Sequence, residues 1–170
     1  PWMTSDATEI DSSLKSNPSP GELFSDPDGE LIISEKQRKR FHSWRRPMEL
    51  LNRHTTQPPC LIHHVDAYDI VQTLVSDCSF VSSLAVAANY EKRFKRGLIT
   101  TAIFPQRNGY PIYNPAGKYY VRLYINGVAR RVVVDDRLPT DALGNLLCSY
   151  SRSRNEYWVS IIEKAFLKVL

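Results

Sequence analysis

A side chain that attacks carbonyl carbons needs a donor pair for the oxyanion it creates and a setting that favours its own ionised form. Residues 72 to 80, Gln72-Thr73-Leu74-Val75-Ser76-Asp77-Cys78-Ser79-Phe80, place a glutamine six residues before a cysteine. From Phe80 onward, apolar residues recur at Val81, Leu84, Ala85 and Ala88. This helical stripe runs to the basic Lys92, Arg93, Lys95 and Arg96 and stops at Gly97. Asp77 then stands where an N-cap belongs, and Cys78 falls in the first turn. The partial positive charge of a helix N-terminus favours a thiolate, whereas Asp77 works against it, so the chemistry also needs a histidine. The backbone N–H of Cys78 and the side-chain amide of Gln72 are the expected donors to a tetrahedral oxyanion. Local pattern leaves the alternative open that Cys78 is an inert thiol starting a core helix.

Three further blocks extend the pattern. They are Arg131-Val132-Val133-Val134-Asp135-Asp136-Arg137-Leu138-Pro139, then Asn155-Glu156-Tyr157-Trp158-Val159-Ser160-Ile161-Ile162-Glu163-Lys164-Ala165-Phe166, and upstream Phe41-His42-Ser43-Trp44-Arg45-Arg46-Pro47. With the Cys78 segment they resemble, in order and over roughly residues 41 to 170, the catalytic domain of the calpains, which are papain-like cysteine proteases. Asp77-Cys78-Ser79-Phe80, with Tyr113-Asn114-Pro115-Ala116-Gly117-Lys118-Tyr119, is closest to the non-conventional PalB-type branch, related to calpain seven. The resemblance implies an intracellular, cytoplasmic endopeptidase in which Cys78 is the nucleophile and Gln72 helps hold the oxyanion. It requires no cofactor for the chemistry. It implies protein substrates and, for this branch, partners in endosomal sorting or ambient-pH signalling. Asp69 and Glu156 match positions that bind calcium in conventional calpains, which makes a Ca2+ site at these two residues an expectation; carboxylates and carbonyls are the ligands calcium prefers. The alternative for Glu156 is a capping box with Ser153 for the last helix, and for Asp69 the cap of a local turn.

A cysteine protease needs a histidine and a group to orient it, and calpains supply them after the cysteine as His and then Asn. All four histidines, His42, His54, His63 and His64, precede Cys78. The expectation is therefore the first, Cys-bearing lobe of a two-lobed core, cut before the His/Asn lobe and inactive by itself. The alternative is a catalytically dead, calpain-derived interaction domain acting as a scaffold.

The elements that must position these residues are legible in outline. Residues 1 to 30 carry seven acids against one base and are rich in Ser and Pro, which reads as a flexible acidic linker; residues 31 to 170 form the lobe, at net +10. Six basic residues crowd Lys36 to Arg46, where Ser34 and Gln37 predict a capping box for a helix that Pro47 ends or bends. Tyr119–Ile125 and Val128–Val134 predict a hairpin closed by Asn126-Gly127, Ile99–Phe104 a third strand, and 108–111 an exposed loop. Trp158, Ile161, Ile162, Ala165, Phe166 and Val169 predict a helix over 157–170. The fold class is α+β: a central helix, a small antiparallel sheet and a long C-terminal helix. Three cysteines without paired spacing point to free thiols in a reducing compartment. No apolar run reaches a membrane span, and no nucleic-acid module appears. Cys60, His63, His64 and Asp66 imitate a metal site without a second ligand pair, Cys148 reads as a packed thiol, and Asp135-Asp136 as a structural pair closing a strand against arginines.

Overall fold

The computed structural model describes residues 22–50, 57–74 and 78–170. In chain order the elements are helix α1 (Glu35–Arg38), β1 (Ser43–Arg45), a 3-10 turn over Pro47–Leu50, a second over Ala67–Asp69, and β2 (Ile70–Val71). The long helix α2 (Cys78–Phe94) follows, then β3 (Ile103–Phe104), β4 (Gln106–Arg107), β5 (Tyr110–Pro111), β6 (Lys118–Ile125), β7 (Val128–Asp135), β8 (Leu138–Thr140), β9 (Tyr150–Ser151) and α3 (Trp158–Lys168). Every sheet is antiparallel: β3-β6-β7 is three-stranded, while β1-β8, β2-β9 and β4-β5 are pairs. Helices beside small antiparallel sheets give the α+β class expected from the sequence.

The hairpin β6–β7 forms in the expected register, Val121 opposite Val132 and Ile125 opposite Val128. Asn126 and Gly127 both take positive φ, 51° and 76°, as the two-residue turn demands. The same chemistry recurs at Asn108 and Gly109, with φ 52° and 78°, so residues expected as a plain loop instead turn the β4–β5 hairpin. The third strand is shorter than expected. One Glu91 carboxylate oxygen accepts the N–H groups of Leu98, Ile99 and Thr100 at 2.7, 2.7 and 3.2 Å, which holds that stretch in a turn and leaves Ile103–Phe104 to pair with β6. The same clasp ends α2 early: the helix closes at Phe94, Lys95 adopts φ 54°, and Gly97 lies beyond the stop it was expected to provide.

Around Lys36–Arg46 the capping box is present, but it opens one helical turn only. Ser43–Arg45 then pairs with β8, because Gln37, buried and donating to the Leu147 carbonyl at 2.9 Å, anchors the chain beside that strand. The last helix, α3, is buried continuously from Trp158 to Ala165 and closes at Lys168, two residues short of the expected end. Its Trp158, Ile161, Ile162 and Ala165 meet Ile103, Tyr119, Val121, Val132 and Val134 of the three-stranded sheet. Each such fully buried side chain contributes about 1.5–3 kcal/mol of transfer free energy. The Ser153–Glu156 capping box does not form: Tyr157 is the N-cap and makes no side-chain cap bond, because Glu156 is engaged elsewhere.

A buried charge cluster links α3 to β7. Lys164 Nζ donates to Asp135 Oδ1 at 2.5 Å and to the Arg137 carbonyl, and Arg137 Nε reaches Asp135 Oδ2 at 2.9 Å. Burial pushes the Asp135 carboxyl up, but the Lys164 charge and hydrogen bond, with the Asp26 and Arg137 amides, hold it below the usual range. Asp136 bonds Arg46, yet burial prevails and keeps its carboxyl above that range. The aspartate pair is therefore structural, as expected, although lysine joins arginine as a partner. Residues 22–30, assigned above to a flexible linker, lie against this cluster. Asp26 N–H donates to Asp135 Oδ2, Lys168 Nζ grips both Asp26 oxygens at 2.7 Å, Phe24 N–H bonds the Ala116 carbonyl, and Arg46 bonds the Phe24 carbonyl. Acid-rich composition signals disorder only where no cation held by the fold awaits the acids, and here Lys168 does. Among the described residues no helix is long and apolar enough to cross a membrane.

Candidate active site

Gln72 is delivered by a short, heavily tied segment. Asp66 caps the 3-10 turn, accepting from Tyr68 N–H at 3.1 Å, and its other oxygen takes Lys92 Nζ of α2 at 2.5 Å. The cap expected at Asp69 thus falls to Asp66. Lys92, first among the causes, holds the Asp66 carboxyl below its usual range. The turn leads into β2, which pairs with β9 as Ile70 opposite Ser151 and Val71 opposite Tyr150, while Arg152 N–H bonds the Asp69 carbonyl at 2.7 Å. The next residue is Gln72.

Cys78 is the first residue of α2 and is exposed. Gln72 Nε2 donates to its Sγ at 3.5 Å. Side-chain amide and sulfur therefore face the same open space, and the Cys78 N–H is one of the four helix-start donors without an intrahelical acceptor. Asp77, expected as N-cap, and His54 lie outside the described residues. The base of α2 is fixed from inside: the Phe80 ring stacks on Phe166 of α3, centroids 4.1 Å apart and planes 9° apart, and Leu84 and Ala88 enter the core.

The other thiols are differently placed. Cys60 is half-buried, and burial followed by the nearby Glu156 charge pushes it up to about 11. Cys148 is packed in the core, as expected, and burial raises it further still. Cys60, His63, His64 and Asp66 do not converge: Asp66 serves Lys92, Cys60 pairs through its backbone with Asn155, and no metal-binding group of three His, Cys, Asp or Glu occurs among the described residues.

Asp69 and Glu156 do approach one another, with a histidine between them. His64 Nε2 lies 2.9 Å from Asp69 Oδ2, out of line for a hydrogen bond, and His64 Nδ1 lies 3.9 Å from Glu156 Oε1. Glu156 is fully buried and already accepts from His63 N–H (3.1 Å), Ser151 Oγ (3.2 Å) and Trp158 Nε1 (3.3 Å). Calcium takes about six to eight oxygen ligands. Two carboxylates facing an imidazole, one with its oxygens engaged by three donors, do not fit that ion as they stand. The parts that sequence reasoning missed are the Asp66–Lys92 tie, the Asn155 bridge to Pro58 and Cys60, and the place of His64, pairings between segments about 26 to 97 residues apart for which local spacing carries no signal.

An exposed thiol at a helix start thus has a glutamine amide at its sulfur, and comparison with known proteins supplies the family. The sequence matches the calpain family of cysteine proteases over residues 21–170. It is 52% identical to calpain-7 of Mus musculus and of Homo sapiens over 148 residues, 86% of this chain and 18% of those proteins. It is 35% identical to the calpain-like protease palB/RIM13 of Aspergillus oryzae, across 99% of this chain and 20% of that protein. The chain thus spans about a fifth of the length of these relatives. Since the match covers the segment after β2 that carries Gln72, the helix bearing Cys78 and the helix stacked against it, the chain belongs to the calpain family of cysteine proteases.

Proposed function

We propose that this chain is the nucleophile lobe of a cysteine endopeptidase of the PalB and calpain-7 type. Cys78 Sγ, its proton taken by a histidine, attacks the carbonyl carbon of a peptide bond. The oxygen, now negative, accepts from Gln72 Nε2–H and from the Cys78 N–H. The amine leaves with the proton, and water then releases the acyl group from sulfur. The observation that carries this reading is the 3.5 Å approach of the Gln72 amide to the Cys78 sulfur on an exposed helix start. Neither histidine near the site is placed to be the base: His63 and His64 face Asn155, Asp69 and Glu156. A histidine and an asparagine from a second lobe complete the proposed site, proteins are its substrates, and three free thiols support a reducing, cytoplasmic setting.

Peptide hydrolysis by the 170-residue chain and by the same chain extended with a His- and Asn-bearing calpain lobe tests the reading. The expected outcome is no turnover from the chain alone, turnover from the extended protein, its loss in Cys78→Ala, and a fall of about 10²–10³ in kcat for Gln72→Ala. Turnover that survives Cys78→Ala refutes the assignment of the nucleophile. An extended, folded protein without turnover favours the inactive scaffold instead.

A further inference from the structure

We infer that the lobe docks on an anionic lipid bilayer through the end at which α2 finishes, where three turns each carry basic and apolar side chains. The inference does not rest on Cys78 being a nucleophile.

Between Glu91 and Asp135 the sequence holds nine Lys and Arg residues and no acidic one. The fold gathers this stretch around the turn at 97–102. Glu91 binds that turn to the end of α2 through the three amides described above. Gln106 Nε2, at the start of the β4–β5 hairpin, donates to the Thr100 carbonyl at 2.9 Å. Arg122 of β6 donates its Nη2 to the Thr101 carbonyl at 3.0 Å and its N–H to the Ala102 carbonyl at 2.8 Å. Tyr110 of β5 and Lys95 line one cleft beside it. Three turns thus share one base: the end of α2 with Lys95 and Arg96, the β4–β5 turn with Arg107, and the β6–β7 turn with Arg130 and Arg131. All five of these basic residues are exposed.

The carboxylates nearest this end are already engaged, Asp66 with Lys92 and Glu91 with the three amides. None of the ion pairs among the described residues uses Lys95, Arg96, Arg107, Arg130 or Arg131. Arg131 stands directly opposite Arg122 in the ladder, a like-charge pairing that opposes the hairpin. Charges on β7 also guard a sheet edge, but Lys95 and Arg96 follow a helix and have no edge to guard. An external anionic partner is what this end fits.

The apolar side chains decide which partner. Phe94 and Leu98 at the end of α2 are 54% and 46% exposed, Tyr110 in the second turn 67%, and Tyr124 and Val128 beside the third 66% and 51%. Leu98 and Val128 offer a nucleic acid nothing to stack on, and apolar groups set on three separate turns give an extended acidic peptide no continuous groove. A bilayer surface takes both kinds of side chain: bases reach the lipid phosphates, while rings and aliphatic groups settle at the boundary of headgroups and acyl chains. Helix α2 spans 17 residues, so Cys78 at its other end lies about 24 Å away and stays open to solution in the docked lobe.

Flotation of the 170-residue chain with phosphatidylcholine vesicles containing about 30% phosphatidylserine, and with phosphatidylcholine vesicles alone, tests the inference. Binding is expected with the anionic vesicles only, and weaker when NaCl rises from about 0.1 to about 0.5 M. Arg130→Gln with Arg131→Gln should lower the partition coefficient about 25-fold, a factor of about five for each base. Tyr110→Ser with Tyr124→Ser should lower it as well, at both salt concentrations. Both double variants should keep the wild-type melting temperature, because the replaced side chains are exposed. If the arginine pair fails to fold, Lys95→Gln with Arg107→Gln takes its place with the same expected loss. A folded wild-type chain that stays off anionic vesicles, or binds both kinds equally, overturns the inference, and so does an arginine variant that binds like wild type. A tyrosine variant that binds like wild type leaves charge alone at work and overturns the choice of a bilayer over a nucleic acid or an acidic peptide. Loss of binding in Lys36→Gln with Lys39→Gln, exposed bases on and just after α1, would move the contact to that helix and is equally decisive against it.

Discussion

Alkylation of the three thiols measures directly what the fold does to each. Burial and the Glu156 charge raise Cys60 from its ordinary 9.0 to about 11. At pH 8 that shift of about two units cuts the thiolate fraction roughly 100-fold relative to an unperturbed cysteine. The gain in intrinsic nucleophilicity of a more basic thiolate, with a Brønsted slope of about 0.4–0.5, returns close to a factor of 10. The net expectation for Cys60 is labelling about 10-fold slower than an ordinary thiol from protonation alone, and slower again because it is only half-exposed. Cys148, in the core, should label only on unfolding. Cys78 is exposed at a helix start with a donor at its sulfur and should label first. Pulsed iodoacetamide at pH 8, read by peptide mass spectrometry, ranks the three. Raising the pH should accelerate Cys60 about tenfold per unit, with no plateau until about 11. The reasoning fails if Cys60 labels as fast as Cys78 under native conditions, or if its rate levels off near pH 9.

Lys164→Met leaves Asp135 buried without its main partner and should cost about 3–5 kcal/mol at pH 7 by urea titration. Because the folded wild-type Asp135 sits below its ordinary value, its contribution is present above about pH 4 and is lost as the pH falls through the folded value; without Lys164 the largest force opposing burial is gone, so the variant's deficit should narrow towards pH 4, and a deficit constant with pH would refute the pairing. Lys168→Ala removes the cation that Asp26 and Asp28 share, so residues 22–30 should become cleavable in limited proteolysis while the remaining fold resists; equal protection in wild type and variant would mean that the other contacts of Phe24 and Asp26 suffice.

The elements whose signals are local were legible in the chain itself. The Asn126-Gly127 hairpin, the Ser34–Gln37 capping box, the helix beginning near Cys78 and the apolar stripe of the last helix depend on neighbours two to four residues apart, and the periodicities of helix and strand register them. The approach of the Gln72 amide to the Cys78 sulfur was legible for the same reason, since six residues separate them and a family pattern surrounds them. Tertiary structure alone decided how charge is shared. Glu156 reads as a cap when only Ser153 is in view, yet the fold brings His63, Ser151 and Trp158 to its carboxylate and leaves the helix without a side-chain cap. Residues 22–30 read as linker until Lys168, about 140 residues away, supplies their counter-charge. A buried ion pair is favourable only when its desolvation is offset by a partner, and sequence reveals that a residue can be charged without revealing which distant charge will be waiting for it.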